Sequence, residues 1–221
     1  YKALYYIARI TGHLDCTVDS IQTDEKNSCI IDDFSWMNQY LKVRKPKRAL
    51  PNQSEINENI LDVFCYTPHE TFLDDNISEE ALSRYEVGYY IPNNSISIPH
   101  RDINERLIGI RQRFLNKQDL ENLGKYMPMK IEGKLLTHKL GNNLYGIHVV
   151  KDRIKECGKC LLVEAEKSCM QSYSYFGEDS FTLAVCGDNI SETQRRLLIE
   201  VLGVKELIIG FDKEYDDPHS I

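Results

Sequence analysis

The sequence predicts an α+β N-terminal part followed by an α/β unit with a mostly parallel sheet. In the last third, short apolar runs at 160–163, 183–186 and 206–210 are separated by turns and helical stretches, the alternation that builds a parallel sheet. Upstream, Ile96 and Ile98 alternate with serines, and a second strand pattern returns at 107–115, as in an antiparallel hairpin. Each late apolar run leads into carboxylates: Glu164, Asp188, and Asp212 with Glu214. In parallel sheets, residues just beyond the carboxyl ends of strands are the usual place for chemistry.

A chain of 221 residues is long enough for one large domain or two small ones. With 42% hydrophobic and 28% charged residues it has an ordinary globular composition. No apolar run approaches the ~20 residues that span a bilayer, so no membrane role is expected. Seven cysteines, odd in number and irregular in spacing, point to a reducing cytosol. Cys157-Gly-Lys-Cys160 lacks the second pair a zinc site normally needs, and is read as two structural thiols near a strand start. The chain begins at Tyr1 rather than Met, and the expectation is an excised fragment. The net charge of −7 is unevenly spread: −6 over residues 1–95, +6 over 96–155 and −7 over 156–221. A basic middle beside an acidic end suits a polyanion track next to metal-binding carboxylates.

In order, residues 1–12 carry a helical apolar stripe with Gly12 as the stop, and 34–43 form a second helix. Arg44-Lys-Pro-Lys-Arg48 and the polar residues after it read as an exposed linker. Residues 57–67 look helical. Ser78, followed by Glu79 and Glu80, starts a further helix. A short strand follows at 85–90, then a turn at Pro92-Asn-Asn. Residues 95–101 are a half-buried strand, 102–105 a turn and 107–115 the returning strand. Residues 116–143 read as loop-rich, and 152–157 as a short helix. Ser191 and Gly203 bound the last helix.

The hairpin holds the binding candidates. Arg111 and Arg113 are two apart on a strand and so share a face. With Arg101 on the partner strand they offer guanidiniums for phosphate. Lys125 and Lys139 are the loop cations added to this surface. On the acidic side, Asp212 and Glu214 are also two apart, so in an extended segment both face one way, as shared metal binding requires.

These residues resemble, in order, the RNA-polymerase core of bacterial or phage-type DNA primases ending in a TOPRIM domain. Ile98-Pro-His-Arg-Asp-Ile-Asn-Glu-Arg-Leu-Ile-Gly-Ile-Arg-Gln-Arg113 is similar to the primase hairpin. Lys125-Tyr-Met-Pro128, His138-Lys139 and Leu144-Tyr-Gly-Ile147 are similar to segments that follow it in the family. Leu162-Val-Glu-Ala-Glu166 resembles the first TOPRIM motif, and Phe211-Asp-Lys-Glu214 its Asp-x-Asp motif. The resemblance covers about 75–216. It implies domains at 1–12 (the tail of an upstream zinc-binding domain), 13–55 (linker and weak helices), 56–155 (basic subdomain) and 156–221 (TOPRIM, apparently truncated). Departures are Ala165 where the family has glycine, Ser168 where many relatives have an acid, and Glu214 where they have aspartate. These variants hint at a phage or mobile-element relative.

What the resemblance implies is primer synthesis on single-stranded DNA from ribonucleoside triphosphates, with a replicative helicase as partner. Glu164, Asp212 and Glu214 would hold Mg²⁺ or Mn²⁺, and Zn²⁺ would sit upstream of Tyr1. Arg101, Arg111, Arg113, Lys125 and Lys139 would contact template or nucleotide. Two alternatives remain at this point: a catalytically weakened TOPRIM accessory that binds single-stranded DNA, and a TOPRIM nuclease.

Overall fold

Two sheets frame the molecule. The first is antiparallel, with its strands side by side in chain order: β1 (Gly88–Tyr90), β2 (Ser95–Arg101), β3 (Leu107–Phe114), β4 (Tyr126–Ile131) and β5 (Lys134–Leu136). The second is parallel and three-stranded among the described residues, with β6 (Lys159–Val163) between β7 (Thr182–Ala184) and β8 (Glu206–Gly210). The computed structural model describes residues 49–116 and 124–211. The expected helices at 1–12 and 34–43, the basic run 44–48, and Asp212 and Glu214 lie outside the described residues. The described residues from Asn52 onward belong to one compact unit.

The hairpin forms as its pattern dictates. Asp102 closes the turn by accepting from the backbone N–H groups of Asn104 (2.9 Å) and Arg106 (3.0 Å), an Asx-type contact that fixes the reversal. The register pairs Ile98 with Arg111 and Ile96 with Arg113. Strand β2, expected to be half-buried, is instead covered on both sides, with Ser95 and Ser97 fully buried. On one side lies a core that includes Ile110, Met129, Leu136, Ile56 and Phe64. On the other, rings run from the hairpin to the parallel unit: His100 lies 4.8 Å from Tyr145, which stacks at 5.5 Å on Tyr85, itself 5.9 Å from Tyr173. Tyr145 also bridges to the edge strand through paired backbone bonds with Ala184 (2.9 and 3.1 Å).

Two regions read as other structure are corrected. Residues 57–67 make only a 3-10 stretch, Glu58–Val63. The backbone of Cys65 is taken up by a bridge to Tyr89, which stops any longer helix. The loop-rich 116–143 contains the β4–β5 hairpin, whose turn is Glu132-Gly133 with both residues in the left-handed region. Pro128 inside Tyr126–Ile131 masked that strand in the sequence, although it pairs with Arg111.

Around the parallel sheet, α1 (Glu70–Leu73) and α2 (Glu79–Arg84) lead into β1. The Ser78 hydroxyl caps α2 by accepting from Ala81 N–H (3.1 Å), as expected. Helix α3 (Ile147–Cys157) precedes β6 and starts five residues earlier than the sequence suggested. Helix α4 (Glu166–Phe176) joins β6 to β7. Helix α5 (Glu192–Arg196) continues as a π-helical turn, Leu197–Val201. Ser191 and Gln194 form a reciprocal capping box at its start, and Gly203 follows its end at φ 69°. Cys160 is buried and Cys157 contacts the backbone of its own turn, as structural thiols do.

Candidate nucleotide and nucleic-acid site

The carboxyl end of β6 faces the hairpin, and the site is built there. Glu164 follows directly after β6, is half-buried, and has no hydrogen-bond or ion-pair partner among the described residues. Val163 pairs with Gly210, so Glu164 and Phe211 step off adjacent strands at the same level. Asp212 comes next in sequence. Ala165 has φ −116° and ψ 152°, extended backbone that any residue adopts, so alanine replaces the family's glycine without strain.

Across from this strand end, Arg111 and Arg113 share one face of β3, as the period of two predicts. Arg111 donates to the Glu166 carboxylate at the start of α4, and its guanidinium lies 5.6 Å from the Tyr126 ring centre. Arg113 lies 5.2 Å from the Phe72 ring and 3.4 Å from Asp75 Oδ2. Lys167 reaches the same Asp75 oxygen at 3.1 Å. The Lys125 ammonium stands 5.9 Å from the Tyr126 ring centre. Its pKa is lowered by burial and then by the positive charges of Arg113 and Lys167. Three cations thus pair with two carboxylates, Glu166 and Asp75, and Lys125 adds a fourth positive charge close by. Burial would raise Asp75, yet Lys167 and Arg113 bring it down. An excess of fixed positive charge in a partly desolvated place attracts phosphate.

Arg101 does not join them, which corrects the grouping made from sequence. It lies beyond the bulge at His100/Arg101 and donates to Glu58 (2.7 and 2.8 Å) and Glu86, and to the Glu105 carbonyl (2.6 Å). Those two carboxylates raise its pKa, and it in turn lowers that of Glu58. Lys139 is exposed ahead of a 3-10 turn, with no contact to the Arg111–Arg113 cluster among the described residues. Lys167 and Asp75 are the members that sequence reasoning missed. Lys167 sat in view, three residues after Glu164, in the Glu-Lys-Ser run; Asp75 gave no signal.

Behind the cations lies a buried pocket of imidazoles. His100 Nε2 is 3.3 Å from Glu166 Oε1, and the His138 ring packs 4.7 Å from that of His100. Gly109 permits this, because a Cβ there would lie 2.2 Å from His138 Nδ1. Burial and the neighbouring charges of His100 and Arg111 bring His138 down to about 3. Burial would raise the Glu166 carboxyl, but His100 and Arg111 outweigh it and hold it at about 2.

No family model matches the chain. It is 40% identical over 214 residues to an uncharacterised SPbeta prophage-derived protein of Bacillus subtilis, a match that takes in 96% of this chain and 55% of that protein. The chain therefore spans about half the length of that relative. Among solved structures, it is similar to the zinc-binding and RNA polymerase domains of the Aquifex aeolicus primase. That likeness has a TM-score of 0.58 and 19% identity, over 70% of this chain and 46% of the other. It is also similar to the Mycobacterium tuberculosis primase RNA polymerase domain in complex with overhanging double-stranded DNA (TM-score 0.54, 16% identity, 66% of this chain, 56% of that). A third likeness is to a primase catalytic domain bound to single-stranded DNA (TM-score 0.50, 16% identity, 69% of this chain, 58% of that).

Proposed function

Starting from a chain with the fold of a bacterial primase catalytic core, we propose that it is the nucleotidyl-transfer core of a primase, making short RNA primers on single-stranded DNA. The observation that carries this reading is the meeting of two opposite things at one strand end. Glu164 is a carboxylate without a partner among the described residues, and near it Arg111, Arg113 and Lys167 share two carboxylates while Lys125 adds a further positive charge over the Tyr126 ring.

The hard oxygen donors Glu164, Asp212 and Glu214 suit Mg²⁺ or Mn²⁺. Bound there, the metal would stabilise charge on the transferring phosphate and activate the primer 3′-hydroxyl. The chain's own part is positional. Arg113, Lys125 and Lys167 receive phosphates of template or ribonucleotide, Arg111 orders Glu166 and the Tyr126 ring beside them, and Lys139, apart from this cluster, makes a separate contact to the nucleic acid. Guanidiniums and ammoniums held by packing need little reorganisation when the phosphate arrives. The single-stranded template, ribonucleoside triphosphates and a replicative helicase are the partners this reading implies. No helix among the described residues is long and apolar enough to cross a membrane.

The test supplies single-stranded template, ribonucleotides and Mg²⁺ or Mn²⁺, and looks for short labelled RNA. The reading expects product from the wild type and none from Glu164→Gln or Asp212→Asn. Template breakdown would indicate a nuclease instead, and binding with neither product a DNA-binding accessory. A negative result is repeated with a longer protein carrying any upstream domain.

A further inference from the structure

Next to the strand end that carries Glu164 lies a second set of donors of different chemistry. His100 is 1% exposed and its Nε2 has no hydrogen-bond partner, although Glu166 Oε1 is 3.3 Å away. The Cys186 thiol completes a trio whose donor atoms all fall within 4.8 Å of one another. Cys186 holds a left-handed backbone (φ 55°) in the loop after β7, a conformation uncommon for a residue with a Cβ. The His138 ring lies 4.7 Å from His100, with its own Nε2 buried and unpartnered.

We infer that His100, Glu166 and Cys186 form a binding site for a borderline transition metal, Zn²⁺ foremost, separate from the hard-cation site at Glu164. One imidazole, one carboxylate and one thiolate are a donor set that favours zinc over magnesium or calcium, which prefer all-oxygen shells. The 3.3 Å between His100 and Glu166 already matches the spacing of two ligands on one small ion, and drawing Cys186 inward closes the third side. Arg111, which donates to Glu166, then acts as the outer hydrogen bond that orients a ligating carboxylate. The alternative for these groups, a simple buried His–Glu pair, leaves His100 Nε2 short of hydrogen-bond geometry. A metal here would tie together β2, the first turn of α4 and the loop after β7. It would thereby fix the Arg111–Arg113 cluster against the strand end that carries Glu164. The inference does not depend on what reaction Glu164 serves.

The test is Co²⁺ titration of the metal-stripped chain in excess Mg²⁺, read by absorption. One equivalent should give a thiolate-to-cobalt charge-transfer band with tetrahedral ligand-field bands, displaced by Zn²⁺. The charge-transfer band should be lost in Cys186→Ser, retained in Cys157→Ser, and the bound equivalent weakened at least tenfold in Glu166→Gln. Absence of a thiolate band in the wild type, or its survival in Cys186→Ser, overturns the site. If Cys186→Ser does not fold, cadmium NMR of the wild type decides. A signal typical of one sulfur with nitrogen and oxygen ligands supports the site, and no bound signal or one typical of several sulfurs overturns it.

Discussion

Arg101 and Arg113 come from the same hairpin, twelve residues apart, and have opposite surroundings. Arg101 is enclosed by Glu58, Glu86 and a backbone carbonyl, so its charge is spent within the fold. Arg113 shares Asp75 with Lys167 and lies near Lys125, so positive charge is left over. The difference teaches that a basic strand has charge to offer a polyanion only where cations outnumber the acids brought to them. Net charge of a segment cannot report this, because the neutralising acids come from elsewhere in the chain.

The sharpest break of this balance is at Glu166. Its side chain is 2% exposed and holds the Arg111 guanidinium. Glu166→Ala leaves that arginine uncompensated and should cost about 3–5 kcal/mol of stability, read as a fall in denaturant midpoint. An unchanged midpoint would mean the ion pair does not form.

Acid should act on the same region in two stages. His138 and His148, both brought to about 3 mainly by burial, are neutral when folded, whereas their unfolded value is near 6.5. Their contribution is present above pH 6.5 and lost as pH falls from there toward 3, at up to about 1.4 kcal/mol per pH unit for each. Glu166, held at about 2 against an ordinary 4.5, contributes above 4.5 and loses that as pH falls toward 2. Thermal melts should therefore start to decline just below pH 6.5. A flat profile down to pH 4.5 would contradict the burial of the two imidazoles.

Arg101→Ala should lower stability by about 2 kcal/mol, since it frees two carboxylates that remain partly exposed. Lys139→Ala should give the smallest effect of all. Exposed and apart from the cluster, it should change single-strand affinity by less than Arg113→Ala does, and leave stability within about 0.5 kcal/mol.

Much of this frame was legible in the sequence. The hairpin, its Asp102 turn, the Ser78 and Ser191 caps and the carboxylate after β6 are set by local chemistry, and local chemistry is what a sequence displays. The β4–β5 hairpin was hidden because Pro128 argues against a strand until its pairing with Arg111 is seen. The 57–67 segment failed because Cys65 is claimed by Tyr89, a contact 24 residues distant. The candidate site divided in the same way. The placement of Arg111 and Arg113 on one strand face, and of Glu164 at a strand end, follows from periodicity. Asp75, Lys167 and the misplacement of Arg101 depend on which acids the fold delivers to which cations.

The measurement that tests the central claim most directly is the salt dependence of single-stranded DNA binding for wild type, Arg113→Ala and Arg101→Ala, compared under conditions where all three are folded. Arg113→Ala should bind more weakly and lower the slope of log affinity against log salt by about 0.7, while Arg101→Ala keeps the wild-type slope. Equal slopes for wild type and Arg113→Ala, or a reduced slope for Arg101→Ala instead, would contradict it.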